Sequence, residues 1–204
     1  MNGDYIEFYL NKFSCKNKDE DLDLSFLPPL MRRRLSILDK YTLSVLNEVY
    51  TDDIENIVYS SRTGEFERLL KLIEQYSEEK EVSPNTFAGS VHNFGVSFFL
   101  MNKQNPVSYT ALSGGENSFS SGFLAGVVSG YNKVLYCYSD VNDSGNFSFA
   151  ASVGSNGDIS AKYRLWIKNN ADVSDEADDY LALFSGETDK IITPYFELER
   201  VRND

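Results

Sequence analysis

Apolar residues along this chain recur in two rhythms that alternate from the N-terminus onward. Tyr5-Ile6-Glu7-Phe8-Tyr9-Leu10 reads as a first strand, and the polar run from Lys16 to Asp23 as a loop. Pro28-Pro29 opens a stretch whose Leu30, Leu35, Leu38, Tyr41, Val45, Leu46 and Val49 fall near the helical period, predicting a helix of about five turns. Asn56 to Ser61 is a short buried strand, and Gly64-Glu65 a turn. Phe66, Leu69, Leu70, Leu72, Ile73 and Tyr76 form an amphipathic helix. Ser83 or Asn85 caps a further helix from about Thr86 to Met101, with Gly89 and Gly95 marking close backbone approach.

The second half of the pattern is richer in strands. Val107–Leu112 is a strand, and a helix follows from about Asn117 to Gly130, one face of it left smooth by Gly122, Ala125 and Gly126. Val134–Tyr138 is fully apolar and ends at Asp140. Asn142–Asn146 is a turn. Phe147–Val153 and Ile159–Ile167 are expected to pair as a hairpin around Ser155-Asn156-Gly157-Asp158. Residues 169–179 are acidic and loop out, and the late elements Tyr180–Phe184 and Tyr195–Val201 have no assigned type. Strands alternating with helices over residues 57–153 predict an α/β fold with a mixed, mostly parallel sheet and helices on both faces.

A length of 204 residues favours one domain spanning 1–204, with residues 155–204 an extension of undetermined fold. The chain has 14 Phe and 13 Tyr with 25% charged residues, which places it among folded proteins. A net charge of −12 argues against nucleic acid or an anionic membrane as the main partner, since both require clustered cations. No apolar run is long enough to span a bilayer, and the first residues lack a signal-peptide pattern, so a cytoplasmic protein is expected. Cys15 and Cys137 have no metal-ligand spacing, and Cys137 reads as a buried strand residue. No cofactor motif is present: Gly114-Gly115 lacks the lysine of a P-loop and the spacing of a dinucleotide fingerprint.

The segment Pro106–Phe119 concentrates the chemistry. A short strand, a glycine turn and a helix of small residues make the kind of corner at which α/β enzymes hold a nucleophile. Here the corner is Gly114-Gly115-Glu116, and Ser113 lies on its strand side. This order resembles the β-ketoacyl synthases of the thiolase superfamily, whose corner runs Ser-x-Thr, then Ala-Cys-Ser-Ser-Ser and a helix. Ser108 and Thr110 match it, Gly114 takes the place of the Ala, Gly115 that of the nucleophilic Cys, and Ser118 falls in the serine run. Leu27–Ser36 and Ser83–Asn93 are similar to segments of the ketoacyl synthase-like N-terminal proteins found with aryl polyene and related pathways. The resemblance spans roughly residues 27–153.

That resemblance implies the N-terminal half of a thiolase-like fold and a chain-length-factor-like subunit with no catalytic residue. It implies a heterodimer with a full-length β-ketoacyl synthase, an acyl carrier protein as a second candidate partner, and no cofactor. The strand Val107–Leu112 would pair across the dimer, and one helix layer would lack cover. Candidate interface or tunnel residues are Ser90, His92, Asn93, Ser108, Thr110, Leu112, Arg32 and Arg33. Plainer readings stand beside these: Glu116 as a first-turn charge rather than a carboxylate blocking the acyl site, His92 and Asn93 as hydrogen-bonded structural residues, Arg32–Arg34 as solvated charge, and Asp140 as part of a turn. Two other functions remain open: a carrier-protein-binding module, and a serine-dependent acyltransferase using Ser113 or Ser118 with His92.

Overall fold

The computed structural model describes residues 4–142, 145–156, 161–170 and 172–201. Its strands are β1 (Ile6–Asn17), β2 (Asn56–Ser60), β3 (Ser108–Leu112), β4 (Lys133–Asn142), β5 (Gly145–Gly154), β6 (Ala161–Ile167), β7 (Lys190–Ile192) and β8 (Phe196–Val201). Its helices are α1 (Pro29–Arg32), α2 (Ile37–Val49), α3 (Phe66–Glu79), α4 (Pro84–Ala88), α5 (Phe94–Lys103), α6 (Ser118–Val127) and α7 (Ala177–Ser185), with a 3-10 turn at Gly115–Asn117.

One sheet runs through the molecule in the order β3-β2-β4-β5-β1-β6-β8-β7. β2 is buried at every position. Successive side chains on a strand point to opposite faces, so a strand covered on both sides reads as a continuous apolar run. Ile57, Tyr59, Leu135, Cys137 and Ala150 pack on one face with α2 and α5. Val58, Val134, Tyr136, Phe149 and Ala151 pack on the other with α6 and α7. The expected α/β class with helices on both faces holds. The expected strand sense does not: only β2 with β3 and β2 with β4 are parallel, and the remaining pairings are antiparallel. Helices connect the parallel neighbours β2, β3 and β4, and antiparallel neighbours build the rest of the sheet.

Three further expectations are corrected. The long helix after Pro28-Pro29 is two helices. Ser36 starts the second with a capping box: its hydroxyl accepts from the Asp39 amide (2.9 Å) and its own amide donates to the Asp39 carboxylate (3.0 Å). The helix from Thr86 to Met101 is likewise divided, stopping at Gly89 and resuming at Phe94. Finally, β5 and β6 are not a hairpin. β1 is 12 residues long; its C-terminal part pairs with β5, its N-terminal part pairs with β6, and it separates the two. Of the expected turn, Gly157 and Asp158 lie outside the described residues, as does Ile159.

The C-terminal segment supplies cover that the half-fold expectation left out. α7 lays Tyr180 against Phe119 and Phe123 of α6 (ring centroids 4.3 and 5.6 Å), and Phe184 also meets Phe123 (5.8 Å). Phe119 and Phe123 are 2% and 0% exposed, so the α6 layer is closed by the chain itself. The uncovered apolar flank lies elsewhere. α3 buries only Leu72 and exposes Phe66, Leu69, Leu70, Ile73 and Tyr76, with Phe87 of α4 also exposed.

The smooth face of α6 has a measurable purpose. A Cβ on Gly122 would stand 2.4 Å from Ser60 Oγ and 2.6 Å from Tyr136 Cε2, both on strands beneath the helix. Gly122→Ala should therefore lower the free energy of unfolding by about 1–3 kcal/mol through overpacking, although alanine is the better helix former. Urea titration with an unchanged m-value would show it.

Candidate functional site

The corner lies where β3 ends and α6 begins. At Gly114 a Cβ would come within 2.6 Å of Ser121 Oγ and 3.2 Å of the Asn117 carbonyl oxygen, so a side chain there would need Ser121 to turn aside. Gly115 is the reverse: its φ is +60°, a left-handed conformation that favours glycine, yet nothing lies within 4 Å of a Cβ built on it. The bend is one that glycine adopts readily, with room for a side chain and none present.

The hydroxyls and the imidazole around the bend are committed to main-chain atoms. Ser118 is buried and donates to the Gly115 carbonyl (2.7 Å) while accepting from the Gly114 amide (3.0 Å). Ser113 Oγ donates to the Arg62 carbonyl (3.1 Å). His92 Nε2 bonds the Leu112 carbonyl (3.1 Å), and its ring rests beside Tyr59 (5.4 Å) and over Gly64. None of these bonds joins a serine to the imidazole. Glu116 is exposed and ion-paired with Arg62 across the mouth of the corner. At the helix N-terminus the Ser120 amide donates to Asp175 (2.8 Å), a carboxyl whose pKa burial pushes up and this hydrogen bond pulls down. The favourable field of that helix end is therefore already engaged by a carboxylate of the chain itself.

Asp140 is no turn residue. It is buried within β4 and accepts from Ser61 Oγ (2.8 Å), the Arg62 amide (2.9 Å), the Thr63 amide (3.4 Å) and the Tyr138 hydroxyl. Burial, and then the Asp140 charge, hold the Tyr138 hydroxyl in its protonated, donating form. Asp140 thereby fixes the loop after β2 that carries Arg62. A cavity of about 810 Å³ opens here, lined by Arg62, Glu116, Asn117, Phe119, Tyr138 and Asp140, with Asp175, Glu176 and Asp178 on its far wall. Its carboxylates outnumber its cations, which makes it a poor seat for an anionic ligand. The contribution of Ser61 and Arg62 was missed from sequence; a polar run at the C-terminal end of an apolar parallel strand is the signal that marks such positions.

The remaining predicted residues divide by place. Ser108, Thr110 and Leu112 lie on β3, an edge strand whose one sheet neighbour among the described residues is β2; Ser108 and Thr110 are exposed. Asn93 joins that edge from below, donating to the Tyr109 hydroxyl (2.8 Å), while Ser90 Oγ donates to the Phe87 carbonyl (2.8 Å). His92, Asn93 and β3 are thus brought together beside the corner. Arg32 and Arg33 are not: they belong to the end of α1, and Arg33 lines a separate cavity of about 410 Å³. Cys137 is buried beneath α2, and burial pushes its thiol up, away from reactivity. No cluster of His, Cys, Asp or Glu suited to a metal ion occurs among the described residues, and none of their helices is long and apolar enough to cross a membrane.

The layered α/β sheet carries its corner at the end of the parallel unit β3-β2-β4, at one edge of the sheet, and the fold is thiolase-like, matching ketosynthase structures. A family model, "Beta-ketoacyl synthase, N-terminal domain", matches residues 10–151, and the chain belongs to that family. No curated protein matches the sequence. Among solved structures, the chain is similar to one from the complex of a ketosynthase (ApeO) with its chain length factor (ApeC) from Xenorhabdus doucetiae. The TM-score is 0.73 at 18% identity, covering 96% of this chain and all of that one. The ishigamide ketosynthase/chain length factor gives 0.52 at 14% identity, over 67% of this chain and 48% of that one. A chain of AntDE:AntF, a type II polyketide synthase acyl-carrier protein in complex with its ketosynthase, gives 0.59 at 6% identity, over 80% and 69%.

Asp140→Ala should cost about 2–3 kcal/mol, because it strands a buried hydroxyl and two amides of the β2 loop. Gly115→Ala should cost only about 1–2 kcal/mol, the strain of a side chain at positive φ with nothing to strike. Thermal or chemical denaturation of the two variants would test this ranking.

Proposed function

We propose that this chain is a non-catalytic, chain-length-factor-like subunit. It would pair with a full-length β-ketoacyl-acyl carrier protein synthase, stabilise it, and help shape the acyl tunnel in aryl polyene or related biosynthesis. The observation that carries this reading is the corner: Gly115 keeps the bend and the space of the nucleophile position but offers no sulfur or oxygen. A thiolate at a helix N-terminus is what condensation requires. The ion pair of Arg62 with Glu116, and Asp175 on the α6 amide, occupy the ground where a reacting acyl group would sit.

The surface supports a protein partner. β3 presents an unpaired edge, and α3 presents Phe66, Leu69, Leu70, Ile73 and Tyr76 at the spacing of a helix-packing stripe. Apolar surface of this kind is worth about 25 cal/mol per Å² when removed from water, which favours association. The likeness over 96% of its length to a chain of a ketosynthase–chain length factor complex agrees with this choice of partner.

Co-expression with a full-length β-ketoacyl synthase should give a stable 1:1 complex by size-exclusion chromatography with light scattering. Leu70→Lys combined with Ile73→Lys should abolish the complex while leaving the far-ultraviolet circular dichroism unchanged. Within the complex, Glu116→Gln should leave the condensation rate intact, and mutation of the synthase cysteine should remove it. A chain that stays monomeric beside every synthase tested, or a condensation rate that collapses with Glu116→Gln, overturns the reading.

A further inference from the structure

We propose that Arg68 and the buried acid pair Asp39–Glu65 form a proton-sensitive clamp that positions α3 and thereby tunes partner affinity. The affinity half of this inference rests on the reading of α3 as partner surface. Leu72 alone is buried on α3, so packing by itself holds the helix weakly. Arg68 does the rest. Its guanidinium donates to the Gly89 carbonyl between α4 and α5 (2.9 Å) and to the Arg34 carbonyl before α2 (2.7 Å). It pairs with Asp39 of α2 (3.1 Å) and Glu65 at the start of α3 (3.4 Å), and lies over the Phe94 ring of α5 (5.5 Å). One fork therefore ties α3 to three other segments, a geometry that a lysine ammonium cannot copy.

The clamp is short of positive charge. Asp39 and Glu65 are 1% and 6% exposed, and among the described residues Arg68 is the one cation paired with both. Arg33, Arg34 and Lys40 from the α1–α2 side, and Glu67 and Lys71 from α3, stand around the same cavity; Arg33, Arg34, Glu67 and Lys71 are solvent-exposed. β4 contributes only Val141 to that cavity, and the α4–α5 connection brings His92 against Gly64. Ser36 donates its hydroxyl to Glu65 (2.5 Å). When both acids are ionised the buried cluster carries one excess negative charge, which low-dielectric surroundings penalise. A proton shared by the two carboxyls removes that excess.

Burial first, and then the Asp39 charge, push Glu65 up to about 7, with Arg68 pulling the other way; burial likewise raises Asp39. A folded-state value above the ordinary 4.5 means that the folded chain holds an extra proton between about pH 4.5 and 7. The stability this confers is complete at the acid end and is lost as pH rises through 7. α3 is accordingly held tightly at pH 6 and loosely at pH 8.

Hydrogen exchange on the isolated chain, corrected for intrinsic rates, reads the clamp directly. Protection of α3 amides should fall about tenfold from pH 6 to pH 8 while that of α6 stays constant. Glu65→Gln, which mimics the protonated acid, should abolish the fall. Arg68→Lys should loosen α3 at both pH values. Unchanged α3 protection, or an equal fall in Glu65→Gln, overturns the clamp and in the latter case assigns the effect to another group such as His92. Binding of purified full-length β-ketoacyl synthase should weaken several-fold at pH 8 for the native chain but not for Glu65→Gln. Equal affinity at both pH values overturns the link to the partner. No binding at either pH overturns the partner reading and its affinity corollary, while the exchange data still decide the clamp.

Discussion

The lack of a side chain at Gly122 lets α6 descend onto β2 and β4 until Ser60 and Tyr136 fill the space a methyl group would need. Tyr136 bonds both the Ser60 hydroxyl (3.0 Å) and the Phe119 carbonyl at the start of α6 (2.8 Å), so the same contact is satisfied in its polar atoms as well as its apolar ones. That seating fixes the height of the helix N-terminus relative to the strand ends. The bend at Gly114-Gly115 carries the backbone from the end of β3 to the helix so placed.

Closure of the α6 side and openness of the α3 side are two halves of one arrangement. Aromatic rings of α7, β1 and β8 surround Phe123 (Phe8 5.7 Å, Tyr180 5.6 Å, Phe196 6.0 Å), and residues beyond 160 thereby complete a core that half of a two-part fold would leave bare. The two sheet edges differ in the same sense. β7 has three residues and begins with a lysine paired to Glu197, a poor template for another strand. β3 has five residues and forms the opposite edge.

Polar clusters hold the parts that packing does not. Asp140 gathers the loop after β2, and Arg68 gathers α3 with the turns on either side of it. Each is a buried or half-buried charge with several partners. Removing one partner of such a cluster costs more than the net worth of any single bond, because the others are left without a counterpart in low dielectric.

Local signals in the sequence settled much. The corner from Ser108 to Ser118, the buried run of β2, the stripe of α3 and the smooth face of α6 were all legible, because each depends on residues close together along the chain. The glycine pair at Gly114-Gly115 was legible for the same reason. Ser36 with Asp39 also carried a readable helix start, overridden by the apolar period that runs through it. What stayed hidden was adjacency. Periodicity says which way a side chain points, not which strand lies beside it, and the insertion of β1 between β5 and β6 joins residues about 150 positions apart. Arg62, Asp140 and the Asp39–Glu65–Arg68 cluster were hidden likewise: burial and a specific partner make a charge meaningful, and only the folded chain brings those together.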